Sequence, residues 1–131
     1  IASIVFEDGE MLKKLDDIIH PAVKKYILKE IEKSKKEETE FFFIESALLL
    51  EEKYDEICDE MWYIYCEKEV RMERLRHDRG YSDEKIQRMM ANQLPDEEFE
   101  ARCDFQLYND EDVAHTYLQI ERKMRTYYEF M

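Results

Sequence analysis

Glycine is almost missing from this sequence: in 131 residues only Gly9 and Gly80 occur, and neither is followed by lysine. No GxxxxGK[ST] loop can be drawn through it, so this stretch contains no glycine-rich cradle for nucleotide phosphates. Proline is as scarce, with Pro21 and Pro95 alone, and no low-complexity linker or internal repeat is visible. The three cysteines, Cys58, Cys66 and Cys103, show no CxxC spacing. They read as reduced, partly buried thiols of a cytoplasmic protein, not as a disulfide frame. His20, His77 and His115 are dispersed, with no second ligand type at metal spacing, so no metal site of side chains is expected. Spacing alone suggests no Ser-His-Asp or Cys-His arrangement. No apolar run approaches the roughly 20 residues that span a bilayer, and no signal-peptide pattern opens the chain. Positive charge is in deficit too. With 33 acids against 20 bases the net charge is −13, which argues against nucleic acid or an anionic membrane as the main partner.

What remains is the composition of a folded chain: 44% apolar and 13% aromatic residues, despite 40% charged ones. The length suits one domain or part of one. The start, Ile1-Ala2-Ser3-Ile4-Val5-Phe6, lacks an initiator methionine, and the expectation is a piece of something longer. Met11, Leu12, Leu15, Ile18 and Ile19 follow a helical period. His20-Pro21 should break its phase, and Val23, Tyr26, Ile27 and Ile31 fit a second amphipathic helix that fades out in the charge run EKSKKEETE. Two short, unalternated apolar runs, Phe41–Ile44 and Met61–Cys66, read as parallel strands buried on both faces, with residues 47–60 as a narrow crossover. A charged helix over Glu67–Asp78, a stop at Gly80 and an N-cap at Ser82 follow. The next helix is expected to run to Gln93, a short one to open at Pro95, and a third strand to span Phe105–Tyr108. Asp110 or Asp112 would cap a last helix ending in Tyr127-Tyr128-Glu129-Phe130-Met131. The fold class is therefore α/β: a parallel sheet flanked by helices, helix-rich, with a basic helical stretch after the second apolar run.

That basic stretch carries the chemistry. Arg71, Arg74, Arg76 and Arg79, with Lys68 and later Arg88, concentrate positive charge in an acidic chain. At about 100° per residue Arg71, Arg74 and Arg79 share a broad face, with Arg76 further round. Guanidinium groups so arrayed suit phosphoryl transfer, where charge accumulates on the transferring oxygens. The plainer alternative is a salt-bridged surface helix, with Glu67–Arg71 and Arg74–Asp78 as i,i+4 pairs. Glu45 and Glu51 bracket the end of the first expected strand, where ligands of open α/β sheets bind; solvated carboxylates are the simpler reading. His20, before a proline, is either a helix-joint residue or part of a site.

Taken in order, Ile18-Ile19-His20-Pro21, Glu45-Ser46-Ala47-Leu48-Leu49-Leu50-Glu51, the arginine helix, Arg79-Gly80-Tyr81-Ser82, Asn92-Gln93 and Cys103-Asp104-Phe105-Gln106-Leu107-Tyr108-Asn109 form a pattern. No one motif is specific, but the order and spacing are. From before His20 to about Ile120 the chain resembles the dephospho-coenzyme A kinase family, P-loop kinases that use ATP to phosphorylate the ribose 3′-hydroxyl of dephospho-coenzyme A, the last step of coenzyme A synthesis. The resemblance implies an incomplete P-loop kinase-like sheet. It implies a helical acceptor-substrate region over residues 1–39, nucleotide-binding core over 40–66 and 103–131, and a helical lid over 67–102. It places His20 and Glu51 near the acceptor, Arg71 and Asn109 on the nucleotide (Asn109 beside adenine), and Arg74 and Arg79 as the catalytic lid arginines. ATP and Mg2+ would serve the complete enzyme.

Three departures matter. Ala47 stands where the family usually has proline. Two lid arginines are displaced: Asp78 and Met89 hold the expected places and Arg79 and Arg88 lie alongside, an offset that turns a helical side chain by about 100°. The family's phosphate loop and early catalytic aspartate have no counterpart in these residues. In the usual strand order the strand bearing that loop lies between the two apolar runs. Without it the chain is expected to be inactive and poorly stable alone, or to complete its sheet as a homodimer or swapped assembly. The readings from other classes are a non-catalytic interaction protein and another small-molecule P-loop kinase.

Overall fold

The computed structural model describes residues 8–129. Phe130 and Met131 of the expected aromatic tail lie outside the described residues. Two compact units emerge, Ile1–Tyr54 and Asp55–Met131, and each is taken by itself.

The first unit is dominated by one helix, α1, Gly9–Lys36. Asp8 caps it, its carboxylate accepting from the N–H groups of Glu10 and Met11 at 3.0 and 3.3 Å. Lys33, Lys35 and Lys36 crowd the last turn, where cations oppose the helix dipole. It ends inside the charge run, as expected, with Glu38 at φ 58° just beyond. The expected break at His20-Pro21 does not occur: Pro21 sits within a continuous helix. Proline there removes one N–H bond and crowds the preceding turn, costing about 3 kcal/mol, but helix-forming residues on both sides carry the element across it. No described residue of α1 is buried.

Phe41–Ile44 is not a strand. Residues 41–46 carry no regular structure: apolar, β-favouring side chains favour a strand without by themselves fixing one. The stretch expected as a narrow crossover, 47–60, opens as a chain of turns over 47–53. Its bonds include Glu52 N–H to Leu48 O at 2.9 Å and Tyr54 N–H to Leu49 O at 2.8 Å, and Lys53 takes φ 59°. A single 3-10 turn, Tyr54–Glu56, follows.

The second unit holds a parallel pair, β1 (Trp62–Tyr65) and β2 (Phe105–Tyr108), with Trp62 opposite Phe105 and Tyr65 opposite Tyr108. Between them run α2 (Lys68–Arg79), α3 (Asp83–Ala91) and α4 (Asp96–Arg102). After β2 comes α5, Val113–Tyr128. Parallel pairing needs such a crossover, and these helices provide it. The punctuation is local and was legible: Gly80 at φ 63° stops α2, its N–H on Arg76 O as in an αL cap, with Tyr81 N–H on Leu75 O beyond it. Ser82 Oγ accepts from Lys85 N–H, and Asp112 Oδ1 from His115 N–H. The third helix stops at Ala91, short of Gln93. The core is small: Met61, Cys66, Met72, Ile86 and Leu107 are buried in this unit. Burial of β1 on both faces does not hold, since Ile64 is 55% exposed.

Candidate functional site

Where β1 and β2 end, backbone groups of the sheet meet the start of α2. Asn109 N–H donates to Tyr65 O at 2.7 Å, continuing the ladder one step past β2. Arg74, nearly two turns into α2, reaches back over this edge. Its Nη1 donates to Asn109 O at 2.5 Å and lies 3.5 Å from Cys66 Sγ, and its Nη2 donates to Glu111 O at 3.4 Å. Arg74 and Asn109 are thus brought together, and the guanidinium ties the loop after β2 to the helix.

Arg71, one turn earlier, points to α4. Its Nη2 is 3.9 Å from Asp96 Oδ2, while its Nε is buried with no hydrogen-bond partner among the described residues. A buried donor left unsatisfied costs about 1–3 kcal/mol, a cost that an anionic oxygen placed there would relieve. Asp96 is fixed a second time, accepting from Tyr63 Oη at 2.5 Å. Burial, and the Asp96 carboxylate next, push the Tyr63 hydroxyl well above its ordinary range, so it stays a donor. Tyr63 also stacks on Phe99, with centroids 4.8 Å apart and planes 11° from parallel.

The surface-helix alternative fails at the pairs it named: neither Glu67–Arg71 nor Arg74–Asp78 forms. Arg76 is the arginine spent on the surface, 2.5 Å from Asp83 and 3.8 Å from Glu73. Arg79 is exposed at the end of α2, with no side-chain partner among the described residues. Arg88 is exposed on α3.

In the first unit His20 lies between two carboxylates: Nε2 is 3.2 Å from Asp16 Oδ1 and Nδ1 is 3.8 Å from Glu52 Oε1. The acid beside it is therefore Glu52 and not Glu51, which is exposed, as is Glu45. The turns over 47–53 set this choice, and nothing in the spacing signals it. Lys24 secures the same turn, donating to Glu52 O at 2.6 Å, its ammonium 5.2 Å from the Tyr54 ring centroid.

Two residues of α5 escaped the sequence reading. Thr116 Oγ1 donates to Asn109 Oδ1 at 2.9 Å. Gln119 pairs with the backbone of Tyr108, Oε1 accepting from its N–H at 2.9 Å and Nε2 donating to its C=O at 2.8 Å, as a neighbouring strand would. The one available signal was their spacing, which puts both on the face of α5 nearest the strand it follows.

The thiols of Cys58, Cys66 and Cys103 are unpaired, and burial raises each above its ordinary value, which disfavours a nucleophilic role. Among the described residues no three His, Cys, Asp or Glu side chains cluster as metal ligands. No helix among them is long and apolar enough to cross a membrane.

The family model described as CoaE, dephospho-CoA kinase, matches residues 1–115. The chain is 36% identical over 122 residues to the dephospho-CoA kinase of Aquifex aeolicus, covering 93% of this chain and 61% of that protein. It is 35% identical over 97 residues to that of Rhodopirellula baltica, covering 71% and 44%. The chain thus spans less than two thirds of these relatives' own length. Among solved structures it is similar to TT1252 from Thermus thermophilus, with a TM-score of 0.76 at 24% identity over 95% of this chain and 64% of that one. That likeness bears on the fold alone, a helix-rich α/β arrangement.

Proposed function

Because this chain belongs to the dephospho-CoA kinase family, we propose that it works within an ATP-dependent phosphotransferase acting on the ribose 3′-hydroxyl of dephospho-coenzyme A, the last step of coenzyme A synthesis. The observation that carries the reading is the arginine arrangement at the strand ends. Arg74 braces the loop bearing Asn109, Arg71 holds a buried Nε–H without a partner among the described residues, and Arg79 is exposed at the end of α2. Arg71 and Arg79 fit a polyphosphate, because both offer charge-assisted donors to oxygens that grow more negative during transfer.

In this reading Arg71 and Asn109 hold the nucleotide, Asn109 beside the base. Arg74 and Arg79 are the catalytic pair, Arg79 meeting phosphate oxygens and Arg74 holding the strand-end loop against them. His20, aligned by Asp16 and Glu52, lies in the acceptor region of residues 1–39, with Glu51 at its margin. Residues 67–102 are the lid, and 40–66 with 103–131 belong to the nucleotide core. Mg2+ bound to ATP would neutralise phosphate charge, and its ligands would come chiefly from the phosphates themselves. The three unpaired thiols suit a cytoplasmic setting.

The test is to purify the product of its own gene and incubate it with ATP, Mg2+ and dephospho-coenzyme A. Coenzyme A and ADP should form in equal amounts, and Arg79→Ala should lower the rate about a hundredfold with little change in folding. Failure to form coenzyme A, with the protein folded, would overturn the proposal and put a non-catalytic interaction role in its place.

A further inference from the structure

Asn109 has four polar groups, and three are already committed. Its N–H goes to Tyr65 O, its C=O to Arg74 Nη1, and its side-chain oxygen to the Thr116 hydroxyl. Its amide NH2 has no partner among the described residues. An asparagine amide is a donor at one end and an acceptor at the other, so which end a ligand meets depends on what holds the opposite end. Here the Thr116 hydroxyl has two nearby acceptors, Asn109 Oδ1 at 2.9 Å and Asp112 O at 3.4 Å. Asp112 O already accepts the Thr116 N–H. That carbonyl has a second lone pair, so distance decides: at 2.9 against 3.4 Å the proton goes to Asn109.

We infer that Thr116 is a positioning residue that fixes the Asn109 amide with its NH2 outward, so that a nucleotide is met there by a donor alone. Resting on the reading of Asn109 as the residue beside the base, this names the atom it reads: an acceptor, a ring nitrogen of the purine, and not an exocyclic amine. Asp112 supports the arrangement from below, because capping α5 sets the phase that brings Thr116 under Asn109.

The test measures the dissociation constant for ATP by calorimetry on the product of its own gene, with Thr116→Val, Thr116→Ser, Asn109→Ala and the Val/Ala double variant. Loss of one positioned hydrogen bond should make Thr116→Val about three- to tenfold weaker, while Thr116→Ser, which keeps the hydroxyl, stays within about twofold of the parent. In the Asn109→Ala background Thr116→Val should add nothing, since its target is gone. An equal loss in both backgrounds would mean that Thr116 acts through the helix and overturns the inference. So would unchanged binding by Thr116→Val where Asn109→Ala weakens it. Unchanged binding by Asn109→Ala itself would remove the nucleobase reading of that residue, and this inference with it.

Discussion

A heavily engaged carboxylate lies outside the proposed site, at Glu60. Lys123 Nζ and Trp62 Nε1 both approach Glu60 Oε1 at 3.0 Å, and Tyr127 adds a third hydrogen bond. Desolvation pushes the Glu60 carboxyl up, but these donors together outweigh it and hold it below its ordinary value of 4.5. The hydrogen bond to Glu60 raises Lys123 above its ordinary 10.5. A carboxyl depressed by folding stabilises the protein above its unfolded pKa and loses that contribution as pH falls through its folded pKa. For the lysine the contribution is complete below 10.5 and lost as pH rises through the folded value. The anchor joining α5 to the start of β1 should therefore hold between these limits and fail first on the acid side. Glu60→Gln should cost about 1–2 kcal/mol at neutral pH and flatten the fall in stability below about pH 4.5. Urea titrations from pH 3 to 7 would check it, and an acid limb equally steep in the variant would rule Glu60 out as its source.

At the scale of elements, what the sequence made legible was whatever a few neighbouring residues decide. Gly80, Ser82 and Asp112 end or open their helices through bonds that span no more than six residues. What it hid was whatever needs a distant partner. Phe41–Ile44 has the composition of a buried strand, yet a strand is a relation between two segments, and one run of side chains cannot specify the other. Pro21 is the opposite error, a local rule overridden by its context. Within the continuous α1, Pro21 is a weak point in an otherwise regular helix. Pro21→Ala should restore the bond from residue 21 to Asp17 O and stabilise α1 by about 1–3 kcal/mol, slowing amide exchange in its central turns by about ten- to a hundredfold. Unchanged exchange would mean that the two halves already behave as separate helices, as the sequence alone suggested. Placing that proline beside His20, in the proposed acceptor region, fits the general trade of local stability against function.

For the whole molecule, half of the candidate site could be anticipated and half could not. The arginines announced themselves as a cluster of one sign in a chain of the other. Their division of labour did not: Arg74 is held by backbone carbonyls of residues 109 and 111, which have no side-chain signature, and Arg76 is spent on Asp83. The same imbalance governs the response to salt. A net charge of −13 makes the folded chain repel itself, and screening by salt relieves this. Opposing it are ion pairs such as Arg125–Glu121 and Lys35–Glu32, whose side chains are more than half exposed and each worth about 0–1 kcal/mol. Repulsion summed over the surplus acids should outweigh pairs of that size. The melting temperature is thus expected to rise by several degrees between about 20 mM and 500 mM sodium chloride, where the Debye length shrinks from about 20 Å to about 4 Å. A melting temperature that falls over this range would mean that the ion pairs govern stability, and that the surplus acids sit too far apart, or too close to arginine, to oppose folding.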